Sequence, residues 1–144
     1  MRLTLQTDHA LRILMALGQA EGRTVSVDEL ARKFAVSKNH LMKTSHALIT
    51  AGFVTSVRGR SGGLKLAWPA DRINVGTVVR RMEDTGGFVD CSEPSGKGCI
   101  VTPVCGLRHV LANSIEAYME YLDQYMVDDL IADPAAFKSA FAEI

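Results

Sequence analysis

Residues 37–68 read Ser-Lys-Asn-His-Leu-Met-Lys-Thr-Ser-His-Ala-Leu-Ile-Thr-Ala-Gly, then Phe-Val-Thr-Ser-Val, then Arg-Gly-Arg-Ser-Gly-Gly, then Leu-Lys-Leu-Ala-Trp. At 100° per residue, Leu41, Ser45, Leu48 and Ile49 fall on one side of a helix that Ser37 can cap and Gly52 can end. Residues 53–57 are rich in β-formers, and Leu64, Leu66 and Trp68 alternate with Lys65 and Ala67. Between the two runs lies a glycine-rich hairpin tip carrying Arg58 and Arg60, and Pro69 stops the second strand. A polar-faced helix followed at once by a basic hairpin is the reading head of a winged module.

Upstream, residues 3–18 predict a first helix with Ala10, Ile13, Leu14 and Leu17 on one face and Asp8, Leu11, Arg12 and Met15 on the other. Ser26-Val-Asp-Glu29 is a capping-box sequence, and Leu30, Ala31 and Phe34 continue it as a short second helix ending near residue 35. Helix, helix, helix, strand, basic hairpin, strand is the order of a winged helix-turn-helix domain, assigned to residues 1–70. The fold class is mainly α with a small β-hairpin.

Downstream, Val75, Val78, Val79 and Met82 mark a fourth helix over residues 75–83, broken by Gly86-Gly87. Residues 90–104 contain Pro94, Gly96, Gly98 and Pro103, so regular structure cannot run through them. Thr102 is a candidate N-cap with Pro103 at the first helical position. From there Val104, Leu107, Leu111, Ile115, Tyr118, Leu122, Met126 and Leu130 recur every three or four residues, predicting one helix to residue 131, before Pro134. About seven turns, roughly 40 Å, exceed what a small winged domain can cover, so a second copy of the chain is the expected partner. The organisation is then 1–70 reading head, 71–101 connecting helix and cysteine loop, and 102–144 dimerisation helix and tail.

The zero net charge conceals a split. Residues 1–70 carry ten Lys/Arg and four Asp/Glu, whereas residues 71–144 carry six and twelve, giving +6 and −6. Such an asymmetry suits a head that binds a polyanion. The candidate DNA-binding set is Ser37, Lys38, Asn39, His40 and Lys43 on the third helix, with Arg58, Arg60 and Lys65 on the hairpin. Asn39 can pair with an adenine edge, lysines can reach guanine or phosphate, and the hairpin arginines can grip phosphates or enter the minor groove. A dimer of such heads predicts double-stranded operator DNA of two-fold symmetry.

Cys91, Cys99 and Cys105 are the three cysteines of the chain, all inside fifteen residues. An odd number so placed argues against a disulfide framework. Soft thiolates select an iron–sulfur cluster, zinc or copper(I). In the first turn of the long helix, Cys105 would have its thiolate favoured by free amides and the helix dipole. Three thiolates leave a 4Fe-4S or 2Fe-2S cluster one ligand short. His109, at i+4 from Cys105, and Asp8, off the core face of the first helix, are the two candidates for the vacancy. Asp8 also has an i,i+4 partner in Arg12.

Several motifs together carry a resemblance. Met-Arg-Leu-Thr-x-x-Thr-Asp-x-x-Leu-Arg at 1–12, Val-Ser-Lys-Asn-His-Leu at 36–41, Val-Arg-Gly-Arg-Ser-Gly-Gly at 57–63 and Cys-Ile-Val-Thr-Pro-Val-Cys at 99–105 are similar to segments of the Rrf-type winged-helix regulators. Within that family the chain resembles the nitric-oxide-sensing repressors. The resemblance implies a cytoplasmic homodimer that holds operator DNA while its cluster is intact and releases it when nitric oxide attacks. It further implies a 4Fe-4S cluster on Cys91, Cys99 and Cys105, with Asp8 of the partner subunit as fourth ligand. Regulators of cluster biogenesis in the same family carry a ligand histidine three residues after the last cysteine. Arg108 stands there in this chain, and His109 follows it.

Other classes fit less well. A zinc-bound or thiol-redox DNA-binding protein would use the same cysteines, and an iron- or cluster-status regulator the same fold. No nucleophile–base arrangement, phosphate-cradling loop or pair of catalytic carboxylates points to an enzyme. Apolar runs fall short of the roughly 18 residues of a membrane span, and Asp8, His9 and Arg12 interrupt the N-terminal one, so a cytoplasmic protein is expected.

Overall fold

The structure is a computed structural model that describes residues 3–59, 62–83, 101 and 104–142. Its elements are α1 (Leu5–Gly18), α2 (Val27–Phe34), α3 (Lys38–Thr50), β1 (Val54–Val57), β2 (Gly63–Leu66), α4 (Val75–Met82), α5 (Leu107–Leu122) and α6 (Pro134–Ala142). Single 3-10 turns lie at Ala70–Arg72 and Val127–Leu130.

Each helix of the head starts on a side-chain cap. Thr4 accepts from the Thr7 amide, Ser26 from Glu29 and Ser37 from His40. The Glu29 carboxylate is engaged by Arg23 at 3.1 Å. Ala35 closes α2 in the left-handed conformation, φ 51°, and so makes the tight turn into α3. β1 and β2 pair antiparallel in the register Val54↔Leu66 to Val57↔Gly63. Val25 adds one bridge to Leu64, with N···O distances of 3.0 and 2.8 Å, and so moors the wing to the residue before the α2 cap.

The main core forms where α1, α2, α3 and the hairpin meet: Ile13, Leu14, Leu30, Leu41 and Leu48 are fully buried. Each such side chain contributes about 1.5–3 kcal/mol of burial. The α1 stripe expected from sequence is the buried one, widened by Thr7, His9 and Ala16. A second cluster joins α4 to α5 through Val75, Val79 and Met119, with Leu3 and Leu11 of the α1 region against it. α1 therefore has the reading head on one side and the α4–α5 layer on the other.

The helix expected over residues 102–131 is corrected. α5 has 16 residues, roughly 24 Å, between Gly106 as N-cap and Asp123 as C-cap. Asp123 makes a bidentate pair with Arg80 at 2.6 and 2.7 Å, which holds its carboxyl below and the guanidinium above their ordinary values. The Asn74 amide donates to the Asp123 carbonyl at 2.7 Å, Val75 N–H to Tyr125, and Val127 N–H to Ile73. These contacts fold the chain back on residues 73–75 and sink Val127 fully into the main core. A 3.6-residue period cannot report a backbone bridge formed fifty residues away. Thr102, Pro103, Gly86 and Gly87 lie outside the described residues.

Residues 132–144, expected as a tail, contain α6. Pro134 begins that helix rather than barring one, and Asp133 accepts from the Ala136 amide at 2.9 Å. Phe141 packs on Phe34 of α2 at 5.8 Å between ring centroids, Lys33 lies 4.4 Å above the Phe141 ring, and Lys138 pairs with Glu21.

One long-range contact bears on the cysteines. The Thr4 amide donates to Glu83 at 2.7 Å, fastening the start of α1 to the end of α4, where the chain enters the cysteine segment. Burial pushes the Glu83 carboxyl up, but hydrogen bonds from the Thr7 hydroxyl and from Thr4 outweigh it and bring it below the ordinary value.

Two outcomes are expected. A Cβ at Gly63 would lie 2.7 Å from the Val25 carbonyl oxygen and 2.8 Å from its carbon. Gly63→Ala should therefore cost about 1–3 kcal/mol in urea denaturation. Gly106→Ala, with open space around it, should cost nothing, and equal midpoints for both variants would contradict the assignment. Glu83, with a lowered folded-state pKa, stabilises above its ordinary value and loses that contribution as pH falls. The melting-temperature gap between wild type and Glu83→Gln should be constant above pH about 4.5 and close below it. A gap that widens on acidification would refute the contact.

Candidate nucleic-acid interface and cysteine segment

α3 buries Leu41, Thr44, Ser45 and Leu48, and Ile49 packs half-buried against the same core. Thr44, which sequence reasoning had not placed inside, donates its hydroxyl to the His40 carbonyl at 3.0 Å. Asn39, His40, Met42, Lys43 and His46 are exposed on the far side. The expected reading face is thus present, with two adjustments. Ser37 spends its hydroxyl on the helix cap, and Lys38 is held by Asp28 at 2.7 Å. These two anchor the helix start; Asn39, His40 and Lys43 remain presented to solvent.

On the wing, Thr55, Ser56, Val57, Arg58, Gly59 and Lys65 are exposed. Arg60 lies outside the described residues. The charge split acquires a local cause here. All four carboxylates of residues 1–70 are engaged: Asp8 by Arg12, Glu21 by Lys138, Asp28 by Lys38 and Glu29 by Arg23. Among the described residues of 1–70, Lys43, Arg58 and Lys65 have no ion-pair partner, and neither have Arg32 and Lys33 of α2, so α3 and the wing carry part of the unbalanced positive charge. That is the arrangement a phosphate backbone attracts.

Of the cysteines, Cys105 is described; Cys91 and Cys99 are not. Cys105 is a half-buried free thiol that stands before the Gly106 N-cap of α5. Its expected place within the first helical turn is corrected: Gly106 has no side chain to cap with, and α5 starts only after it. The i,i+4 relation to His109 lapses with it, since His109 is an exposed first-turn residue of α5 and Cys105 is outside the helix. Asp8 lies off the α1 core, its side chain 40% exposed and 3.0 Å from the Arg12 Nε. Among the described residues no three of His, Cys, Asp and Glu come together as a metal site. The donor set itself, three thiolates and an accessible carboxylate, fits soft iron chemistry with one hard corner.

Beside Cys105 and along α5 runs an exposed apolar band, of which Val104 and Leu107 belong to the seam expected from sequence and Val110 and Tyr121 do not. Val104 is 85% exposed, Leu107 55%, Val110 61% and Tyr121 57%. Ile115, Tyr118, Met119 and Leu122 of α5 pack on α4. Among the described residues, no helix is long and apolar enough to cross a membrane.

Comparison with known proteins agrees with this geometry. The chain is 40% identical over 132 residues to the HTH-type transcriptional regulator NsrR of Bacillus licheniformis, covering 91% of this chain and 92% of that one. It is 38% identical over 144 residues to NsrR of Geobacillus kaustophilus, covering 99% and 98%. In structure it is similar to CymR, the global cysteine regulator of B. subtilis, with TM-score 0.70 at 24% identity over 90% of this chain and 95% of that one. The same holds for IscR of T. potens, with TM-score 0.71 at 24% identity over 94% and 90%. At such identities these two structures attest the winged-helix fold alone. Residues 3–133 match the Rrf2 family, described as an iron-dependent transcriptional regulator. The chain belongs to the Rrf2 family and is a transcriptional regulator, not an enzyme.

Proposed function

We propose that the chain is a homodimeric, cytoplasmic iron–sulfur repressor of the NsrR kind, which holds a two-fold symmetric operator and leaves it in response to nitric oxide. The observation that carries this reading is the position of α1. Its first turn bears Asp8, its start is tied by Thr4 to Glu83 at the entry to the cysteine segment, and its buried face supports α3.

Cys91, Cys99 and Cys105 would hold the cluster, most simply a 4Fe-4S cluster, and Asp8 of the partner subunit would complete it. When bound, the cluster supplies iron with which nitric oxide reacts. The rest is work for this chain's own residues. Asp8 pairs with the Arg12 guanidinium within its own helix and would exchange it for the metal across the dimer. Engagement across the dimer would fix α1, and with it α3, relative to the other subunit's head. Release returns Asp8 to Arg12 and frees the separation of the two α3 helices, which must match one turn of DNA, about 34–36 Å. The exposed band of Val104, Leu107, Val110 and Tyr121 supports a second copy as the cover of α5.

Iron and sulfide analysis with an anaerobic absorption spectrum tests the centre. Near-equal iron and sulfide and a visible chromophore are expected, both lost in Cys99→Ser. A colourless chain that binds zinc, or nothing, would overturn the cluster. Asp8→Ala should keep the chromophore but weaken operator affinity at least tenfold, and an unchanged affinity would remove Asp8 from the relay. For the wing, Arg58→Ala should weaken binding alike on all duplexes and lower the slope of log K against log salt by about one per protomer. A sequence-dependent loss with unchanged slope would instead make Arg58 a base reader.

A further inference from the structure

The outward stripe of α3 is Asn39, Met42, Lys43 and His46, spaced i, i+3, i+4 and i+7, directly opposite the buried Leu41, Thr44, Ser45 and Leu48. Met42 is the exception in that stripe: a large apolar side chain, 51% exposed, between polar and basic neighbours. Nothing in its own chain needs it there, because the α3 core contacts are made by the other face. In the first helical turn the Ser37 hydroxyl caps the His40 amide and Lys38 is held by Asp28, which leaves Asn39 and His40 exposed there. The outward stripe continues from Asn39 into the next turn, where Met42, Lys43 and His46 stand.

A DNA major groove offers one apolar group on its base edges, the C5-methyl of thymine. A flexible thioether chain suits such a contact, since it can follow a methyl without a fixed rotamer. We propose that Met42 is a specificity-determining residue that reads a thymine methyl in each half-site, beside the polar contacts of Asn39 and Lys43. The inference rests on α3 being the DNA-reading helix. Removing one methyl from such a contact is worth roughly fourfold in affinity per half-site.

The test uses the full chain, purified anaerobically, and a duplex selected from a random pool by the wild-type protein. Each thymine is replaced in turn by deoxyuridine, which lacks only the methyl. Wild type should lose roughly fourfold at one position in each half-site. Met42→Ala, which keeps a good helix former at an exposed site, should bind the thymine duplex about fourfold more weakly and make no distinction between thymine and deoxyuridine at that position. No methyl-sensitive position, or a Met42→Ala protein that still discriminates, would overturn the proposal. Asn39→Ala and Lys43→Ala separate the two levels. If both lower affinity while Met42→Ala is silent, only the methyl contact fails; if neither changes DNA binding, α3 is not the reading helix.

Discussion

The burial of α1 is the constraint on which the other elements depend. Ala10, Ile13 and Leu14 are inaccessible to solvent, and they form the wall against which α3 and the hairpin pack. The same helix places Leu11 against the α4–α5 layer. A rigid element shared by two cores cannot tilt on one side without disturbing the other, since close-packed interiors transmit displacement rather than absorb it. Whatever acts on the exposed face of α1 therefore acts on the reading head. Asp8 and Arg12 are on that exposed face, as an ion pair of modest intrinsic worth. A weak pair at a strong lever is what a switch requires, because a competing ligand can replace Arg12 at little cost.

The electrostatics of the head follow the same economy. Its four carboxylates are each paired: Glu29 to Arg23 beside α2, Asp28 to Lys38 at the start of α3, Glu21 to Lys138 on α6, and Asp8 to Arg12. The pairs do structural work on helix starts and inter-helix seams, leaving Lys43, Arg58 and Lys65 to face outward. Part of the +6 of residues 1–70 thus faces outward on α3 and the wing, and Arg32 and Lys33 of α2 add to it. Affinity for a polyanion and the scaffold that presents it use different charges, so the wing can be altered without loosening α2 or α3.

Much of this was legible in the residues. The three N-terminal helices and the hairpin announce themselves because local chemistry and burial agree: Ser26 and Ser37 cap, Gly52 takes φ 81° at the end of α3, and Leu41 and Leu48 carry the period. Reading failed where tertiary contacts overrode local pattern. Met126 and Leu130 continue the α5 period, yet the Asn74 bridge turns the chain at Tyr125 and makes Val127 a core residue. Pro134 bounds the helix expected to residue 131 and leaves a tail beyond it, yet proline is at home in a first helical turn, and α6 begins there. Rotation at 100° per residue gives the reading face of α3, but Met42 escapes it, because in a periodic pattern an apolar residue signals the inner side. For the cysteines, the residue types and spacing speak for soft-metal chemistry, and Cys105 alone is described structurally, ahead of α5 rather than within it.

In the proposed regulator nitric oxide is the signal and DNA release the response. The most direct test is operator binding followed anaerobically by fluorescence anisotropy while nitric oxide is added to the pre-formed complex, with iron chelation of a parallel sample. Release in step with bleaching of the visible chromophore is expected. Bleaching that runs to completion with the DNA still bound would contradict it.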